Sequence, residues 1–274
     1  MMNDPIADLR SLLAAAAMAI AVFSLPSLPA AAEDAVAKGT KIAEEWDRRD
    51  HGFGDSRQLT RMVLENAHGE TSIREMRLDT LEVPGDDNGD KSLVIFDQPR
   101  DVKGTAFLTF SNILEPDDQW LYLPALKRVK RISSKNKSGP FVGSEFAYED
   151  ISSLELKKYS YKWLRDEPCG ELECFVLEQA PQYPDSGYTR TLVWYDKAEY
   201  RIRKIDFFDR KNELLKTLTY SDFRQYLGQY WRAHDLYMVN HQTGKKTRLT
   251  IDEITFRNGF AESDFSQNAL KRAY

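Results

Sequence analysis

From residue 55 onward, apolar and polar residues alternate in short segments that start about 10–12 residues apart. "SRQLTRMVLENAHGETSIREMRLDTLEV" contains two such segments, which meet at His68-Gly69. "DRKNEL" and "HQTGKKT" have the composition of tight hairpin connections. The pattern predicts one continuous antiparallel meander without a domain linker or an internal repeat.

Several predicted strands carry bulky apolar side chains on both faces. In "TRTLVWYDK", Val193 and Tyr195 face one way while Leu192 and Trp194 face the other. A large curved sheet with few helices cannot be covered by one helix. It therefore either closes on itself or leaves a groove lined with apolar side chains.

One helix precedes the strands. In "EDAVAKGTKIAEEWDRRDHGFG", Val36, Ile42, Ala43 and Trp46 fall close to one face at helical spacing, and "HGFG" ends the pattern. The segment predicts an amphipathic helix of about four turns that is too polar to span a membrane.

The chain begins with an apolar run, Leu12–Leu25, followed by prolines and three alanines, which is typical of a secretory signal peptide. The run is shorter than the roughly 20 residues that span a bilayer, so an uncleaved anchor is less favoured. Two acids and one arginine before it are unusual, and indicate either a misassigned start codon or a poor leading region. We expect cleavage between Ala32 and Glu33, a single domain over residues 33–274 and export from the cytoplasm; the family resemblance given below implies the periplasm as the destination.

The net charge of the chain is −5, and 37 cations and 41 anions remain once the predicted leader is removed. This balance gives no general attraction to nucleic acid. A local exception is "LKRVKRISSKNKSG", which holds six cations between Lys127 and Lys137. We predict that this stretch docks lipid head groups or an acidic partner surface through these residues: Lys127, Arg128, Lys130 and Arg131.

The sequence offers no catalytic or metal-binding pattern. Its four histidines lie in or beside predicted turns, where surface positions are expected: His51, His68, His234 and His241. The "DDNGD" turn has no glutamate at the twelfth position of a calcium loop, and no nucleophile elbow is present. We therefore predict a protein that is not an enzyme and has no cofactor or metal, while a lipid or glycan hydrolase remains open to substrate screening.

Two cysteines occur in "CGELEC". In an oxidising compartment, Cys169 and Cys174 are spaced to form a small disulfide across a turn. The alternative is two free thiols at the start of a strand.

The segment from Asp118 to Ile151 contains a long, glycine-containing loop that is rich in aromatic residues. Aromatic residues in a loop indicate that the loop packs over another part of the protein or over a ligand site. It either closes the core of the sheet or forms a lid over an apolar groove. We assign the candidate cavity or lid residues as Phe107, Phe110, Trp120, Tyr122, Phe141, Phe146 and Tyr148.

"WLYLPALKRVKRISSKNKSGPFVGSEFAYEDI" closely resembles a signature of the periplasmic outer-membrane lipoprotein-sorting proteins, the LolA-like group associated with exporters of the resistance–nodulation–division type. "GELECFVLEQAP", "MVNHQTGKKTRLTIDEI" and the terminal "SDFSQNALKR" agree. The resemblance implies a mainly β fold, an unclosed and strongly curved antiparallel β-barrel covered by a few helices. It also implies a hydrophobic cavity that binds acyl chains.

Carriers of this group take lipoproteins from an inner-membrane exporter to an outer-membrane receptor, which implies the same classes of partner here, together with transient contact with the membrane surface. In those carriers an arginine holds the lid shut, and Arg128 or Arg131 is the candidate for that role. The alternative is a periplasmic lipid-sensing or regulatory module, which would change the affinity of a signalling or exporter partner instead of moving cargo.

Overall fold

Thirteen strands form a single antiparallel sheet in a computed structural model that describes residues 30–84 and 88–271. The strands are β1 (Asp55–Glu65), β2 (Thr71–Leu81), β3 (Asn88–Gln98), β4 (Ala106–Asn112), β5 (Asp118–Leu123), β6 (Arg128–Arg131), β7 (Tyr159–Cys169), β8 (Leu172–Pro181), β9 (Arg190–Asp196), β10 (Ile202–Phe208), β11 (Leu214–Tyr226), β12 (Tyr230–Asn240) and β13 (Lys246–Phe256). Two α-helices accompany them, α1 (Ala30–Asp50) and α2 (Gln267–Leu270).

In the described residues, every pair of consecutive strands is hydrogen-bonded except β6 and β7. β1 pairs with β13, which joins the two halves of the meander, and β6 and β7 are the two edges of the sheet. Residues 132–158, the inner loop, connect these edges. Because β6 and β7 do not pair with each other in the described residues, the barrel is unclosed, and the predicted fold class is confirmed.

The inner face of the sheet carries the main core. Met62 on β1, Phe96 on β3 and Phe107 on β4 are fully buried there. Ile42 and Ala43 of α1 pack into the same cluster. The helix and the sheet therefore share one core on this face.

A second cluster lies on the outer face of β3–β5. The chain that follows β13 returns over these strands and buries Phe265 and Leu270 against Leu93 and Leu108. The C-terminal segment thus covers part of the outer face.

The helix α1 crosses β7 at Gly39. A Cβ atom at this position would lie 2.6 Å from the backbone nitrogen of Trp163, so a glycine is required for the close approach. Val36 is 48% exposed, and its predicted place on the buried helix face is wrong because it lies N-terminal to this crossing. The predicted signal peptide lies outside the described residues apart from its last three alanines, where α1 begins.

Candidate ligand cavity

A cavity of about 840 Å³ lies at one end of the inner face, between the end of α1, the β11–β12 hairpin and the first residues of β1. Register explains its lining, since Tyr220 and Leu236 are paired across β11 and β12 and point to the same side. The apolar part of the wall includes Trp46, Phe53, Phe223, Trp231, Leu236 and Ile251. The volume falls within the range of about 300–1,000 Å³ that is common for small-molecule sites.

The opposite wall is acidic. Asp47, Glu82, Asp90 and Glu155 line it. Burial, together with the charge of nearby Glu155, raises the pKa of Asp90 to about 7. Burial also raises the pKa of Asp47. Asp47 and Asp90 therefore lie in a poorly solvated region, where the negative charges of Glu82 and Glu155 add to the rise in their pKa values.

Backbone groups hold this wall in place. The carboxylate of Glu82 accepts hydrogen bonds from the backbone nitrogens of Gly52 and Gly54, both at 2.7 Å. The backbone nitrogen of Asp90 donates to Glu155 at 3.1 Å. The acidic wall thus connects the turn after α1 to β3 and the inner loop.

Arginines complete the lining, and each is paired. Arg201 donates to Asp196 at 2.7 Å and lies over the ring of Trp231 at 4.6 Å. Arg232 forms an ion pair with Asp50. Since these cations are already neutralised, the lining offers aromatic surface and carboxylates to a guest more readily than free positive charge.

The inner loop fills the other end of the inner face. The ring of Phe141 lies 5.2 Å from that of Phe107 and 5.8 Å from that of Phe96, and Phe141 has no exposed surface. Tyr148 packs against Phe107 at 5.3 Å. The aromatic residues of the loop therefore close part of the core, while Asp150, Ser152 and Glu155 of the same loop line the cavity.

An arginine that the sequence analysis did not select holds this loop. The guanidinium of Arg74, on β2, donates to the carbonyl oxygen of Val142. Val142 has φ 46°, a left-handed conformation that is strained for a β-branched residue. The signal was a cation at the inner-face parity of β2, two residues before buried Met76.

Buried polar contacts also fix the loop to β11. Lys216 Nζ lies 2.5 Å from the carboxylate of Asp150 and 2.9 Å from the carbonyl oxygen of Glu145. The hydroxyl of Tyr188 donates to the same carboxylate at 2.8 Å. The loop is therefore held by specific charge-assisted contacts as well as by aromatic packing.

The seven predicted aromatic residues do not come together. Four lie on the inner face, namely Phe107, Phe141, Phe146 and Tyr148. Three lie on the outer face, near the C-terminal segment: Phe110, Trp120 and Tyr122. The prediction of a single site neglected the alternation of side chains along β4. Phe107 and Phe110 are an odd number of residues apart, so their side chains point to opposite faces of the sheet. None of the seven lines the described cavity.

The basic stretch divides in the same way. Lys127, Arg128, Lys130 and Arg131 are exposed on or beside β6. Lys137 is buried instead, and donates to the carbonyl oxygen of Pro184 at 2.8 Å. Burial lowers the pKa of Lys137. The expected run of six surface cations is therefore interrupted.

The predicted lid arginines lie elsewhere. Arg131 pairs with Asp118 on β5, and within the described contacts neither Arg128 nor Arg131 donates to the inner loop. Arg74 makes that contact.

Cys169 and Cys174 form a disulfide across the β7–β8 turn, as one of the two alternatives from the sequence predicted.

The expectation that all four histidines lie at the surface is wrong for His234. It is buried in β12, where Nδ1 lies 2.6 Å from the carbonyl oxygen of Ile251 and Nε2 lies 2.7 Å from the hydroxyl of Tyr226.

Within residues 30–84 and 88–271, no helix has the length and apolarity that a membrane crossing requires. In the same part of the chain, no three histidine, cysteine or acidic side chains are grouped so that they could hold a metal ion.

Comparison with known proteins gives close matches. A protein-family model described as "Uncharacterized protein" matches residues 88–272. A structure from Vibrio parahaemolyticus, described as an outer-membrane lipoprotein-sorting protein domain, is 58% identical, with a TM-score of 0.84 over 86% of this chain and 100% of that one. Curated proteins give no match.

Two further structures are similar. A DUF1329 family protein from Desulfovibrio piger is 27% identical, with a TM-score of 0.81 over 86% of this chain and 99% of that one. A LolA superfamily protein from Nitrosomonas europaea is 21% identical, with a TM-score of 0.67 over 84% and 98%. The latter likeness concerns the fold.

Proposed function

Because the chain belongs to the LolA-like family of outer-membrane lipoprotein-sorting proteins, we propose that it is an exported periplasmic carrier that binds an acyl chain of a lipid or lipoprotein in its cavity. The carrier works by binding and release, without a chemical step.

The cavity is the observation that supports this proposal. Its aromatic and aliphatic wall, with Trp46, Phe223 and Trp231 among its members, offers apolar surface to a guest chain. Transfer of each methylene from water to such a wall is favourable by roughly 0.8 kcal/mol, so a long chain is held without a covalent bond. The charged wall then lies beside the polar end of the guest.

The inner loop gives the site room to grow. If Phe141, Phe146 and Tyr148 left the inner face, the vacated space would extend the cavity toward Phe107. The strained Val142 and the buried contact to Arg74 fit a segment that its surroundings hold in place. A second or longer acyl chain would occupy this space.

Loading and release require partners. A ligand changes a conformational equilibrium only through its different affinities for the two states, so release needs a partner that favours the open one. An inner-membrane exporter and an outer-membrane receptor are the partner classes proposed for these steps, with transient contact at the membrane surface.

Filling the cavity tests the proposal. Ala233 lines the cavity, and Ala233→Trp would place an indole in it. We expect binding of a dansyl-labelled fatty acid, followed by fluorescence, to weaken by about tenfold or more, which corresponds to about 1.4 kcal/mol. Val63→Trp is the matched control, because Val63 is paired with exposed Ile73 and its parity places it on the outer face.

Native mass spectrometry of the protein purified from its own periplasm identifies the cargo. A bound lipid or lipoprotein acyl chain supports the proposal. Equal affinity of the two tryptophan variants for the fatty acid, with both correctly folded by circular dichroism, would contradict it.

A further inference from the structure

The strand β6 has a free backbone edge. Ile132 N donates to Gln119 O at 2.8 Å, which makes these residues a hydrogen-bonded pair of the antiparallel ladder. Such pairs alternate along the strands, so Lys130 bonds to β5 while the backbone groups of Val129 and Arg131 point away from it. In the described residues, no backbone group from outside the ladder bonds to Val129 or Arg131.

The other edge of the sheet is different. α1 packs against β7 so closely that only a glycine fits at position 39, where a Cβ would meet the backbone of Lys162 and Trp163. Pro168, within β7, has no N–H to donate. An added strand therefore has free backbone partners at β6.

Cations flank the free edge on both faces of the sheet. Arg128 and Lys130 are paired with Leu123 and Leu121, whose side chains belong to the inner face. Arg131 is on the outer face, where Asp118 is its one carboxylate partner in the described chain. The hairpin tip before β6 adds Lys127 and Leu126, and Leu126 is 63% exposed.

We propose that β6 receives an acidic, extended segment of a partner protein as an added antiparallel strand. The backbone of Val129 and Arg131 supplies the hydrogen bonds, and acidic side chains of the added strand meet cations on both faces. Leu126 supplies an apolar contact at the end of the strand.

The arrangement of the charges favours a strand over a bilayer. Arg128 and Arg131 project to opposite faces of the sheet, so a flat anionic surface cannot contact both at once, whereas a strand presents side chains to both faces. The backbone groups of Val129 also gain nothing from a surface of phosphates that approaches from one face. A second copy of β6 is rejected, because like charges would lie opposite each other.

A synthetic peptide of repeated glutamate-glutamate-valine, which presents glutamates to both faces of an added strand, is titrated into the full chain at low salt as the test. We expect amide hydrogen exchange at Val129 and Arg131 to slow on binding, while exchange at Arg128 and Lys130, already bonded to β5, stays unchanged. This pattern reports strand addition and does not arise from charge attraction alone.

Two variants separate the backbone from the charge. Val129→Pro removes one outward N–H without removing a bond to β5, and we expect about tenfold weaker peptide binding. Arg128→Glu/Lys130→Glu keeps the backbone, and we expect a loss of at least about tenfold. Lys103→Glu/Lys245→Glu, at exposed turns, is the matched charge control and should bind as the unaltered chain does.

Absence of peptide binding, or peptide binding that leaves exchange at Val129 and Arg131 unaltered, would overturn the proposal. A second contrary outcome is a chain that does not bind the peptide but binds phosphatidylglycerol vesicles, with Arg128→Glu/Lys130→Glu abolishing the vesicle binding. Fatty-acid binding measured on the same variants keeps this result distinct from the carrier proposal, which does not depend on β6.

Discussion

Lys216 on β11 and Asp150 in the inner loop form an ion pair at 2.5 Å, with side chains that are only 4% and 6% exposed. A buried pair of this kind is weak evidence of net stabilisation, but removal of one partner leaves an uncompensated charge. The pair therefore makes the loop's position depend on both residues together.

We predict that Lys216→Met lowers the free energy of unfolding by about 3–5 kcal/mol, because it leaves Asp150 buried without its cation. Urea denaturation followed by tryptophan fluorescence measures the change. The double variant Lys216→Met/Asp150→Asn should recover a large part of the loss.

The exposed pair Arg224–Asp222, with both side chains 52% exposed, provides the control. Arg224→Met should change the free energy of unfolding far less than Lys216→Met does, because solvent screens the exposed pair. A loss of similar size in both single variants would show that burial of the Lys216–Asp150 pair is not the cause.

Arg74→Leu should release the inner loop locally. The carbonyl oxygen of Val142 would lose its donor, and the left-handed conformation of Val142 would lose a support. We expect amide hydrogen exchange in residues 139–150 to accelerate by about tenfold, equivalent to about 1.4 kcal/mol of local stability. Arg61→Leu, an exposed arginine of neighbouring β1, is the control and should leave exchange in the loop unaltered.

Fold and site differ in how far the sequence predicts them. The alternation of apolar and polar residues, together with the turn residues, predicts where the strands lie, because both signals are contained within each short segment of sequence. The pairing of β1 with β13 depends on contacts between distant segments, which period alone does not encode. The family resemblance supplied the unclosed barrel.

The site was harder to predict for the same reason. Trp46, Phe223 and Trp231 come from three separate elements, and only the folded chain brings them to one cavity. Parity within β2 would have singled out Arg74, and parity within β4 would have separated Phe107 from Phe110. The burial of Lys137 depends on Pro184, far along the chain, and no local signal reports it.

For Gly39→Ala, helix propensity predicts a gain in stability and packing predicts a loss. Alanine in a helix interior is favoured over glycine by roughly 0.5–1 kcal/mol. Here its Cβ would lie 2.6 Å from the backbone of Trp163, and both elements would have to move. We predict a net loss of about 1–3 kcal/mol in chemical denaturation. Lys41→Ala, at an exposed position of the same helix, should change stability by less than about 0.5 kcal/mol.

Asp90 makes stability depend on pH in an unusual direction. Burial first, and then the charge of Glu155, raises the pKa of Asp90 to about 7, whereas an unperturbed aspartate has a pKa of about 3.9. The charge of Glu82 adds to the rise, and the hydrogen bond from Val83 and the charge of His51 oppose it. Between these pH values the folded state holds a proton that the unfolded state has lost. The contribution of Asp90 is therefore fully present below about pH 4 and declines as the pH rises toward 7.

Asp90→Asn should remove this decline. The amide keeps an acceptor for the nitrogen of Val83 and carries no charge, so the variant should be more stable than the unaltered chain at pH 8 by up to about 4 kcal/mol, and nearly equal to it at pH 4. Urea unfolding at both pH values measures the difference. Glu155→Gln should reduce the pH dependence in part, because it removes one of the charges that oppose ionisation of Asp90. The opposite result would be a stability difference, Asp90→Asn minus unaltered chain, that is lower at pH 8 than at pH 4. It would show that the fold stabilises the Asp90 carboxylate and that the acidic wall already contains a compensating cation.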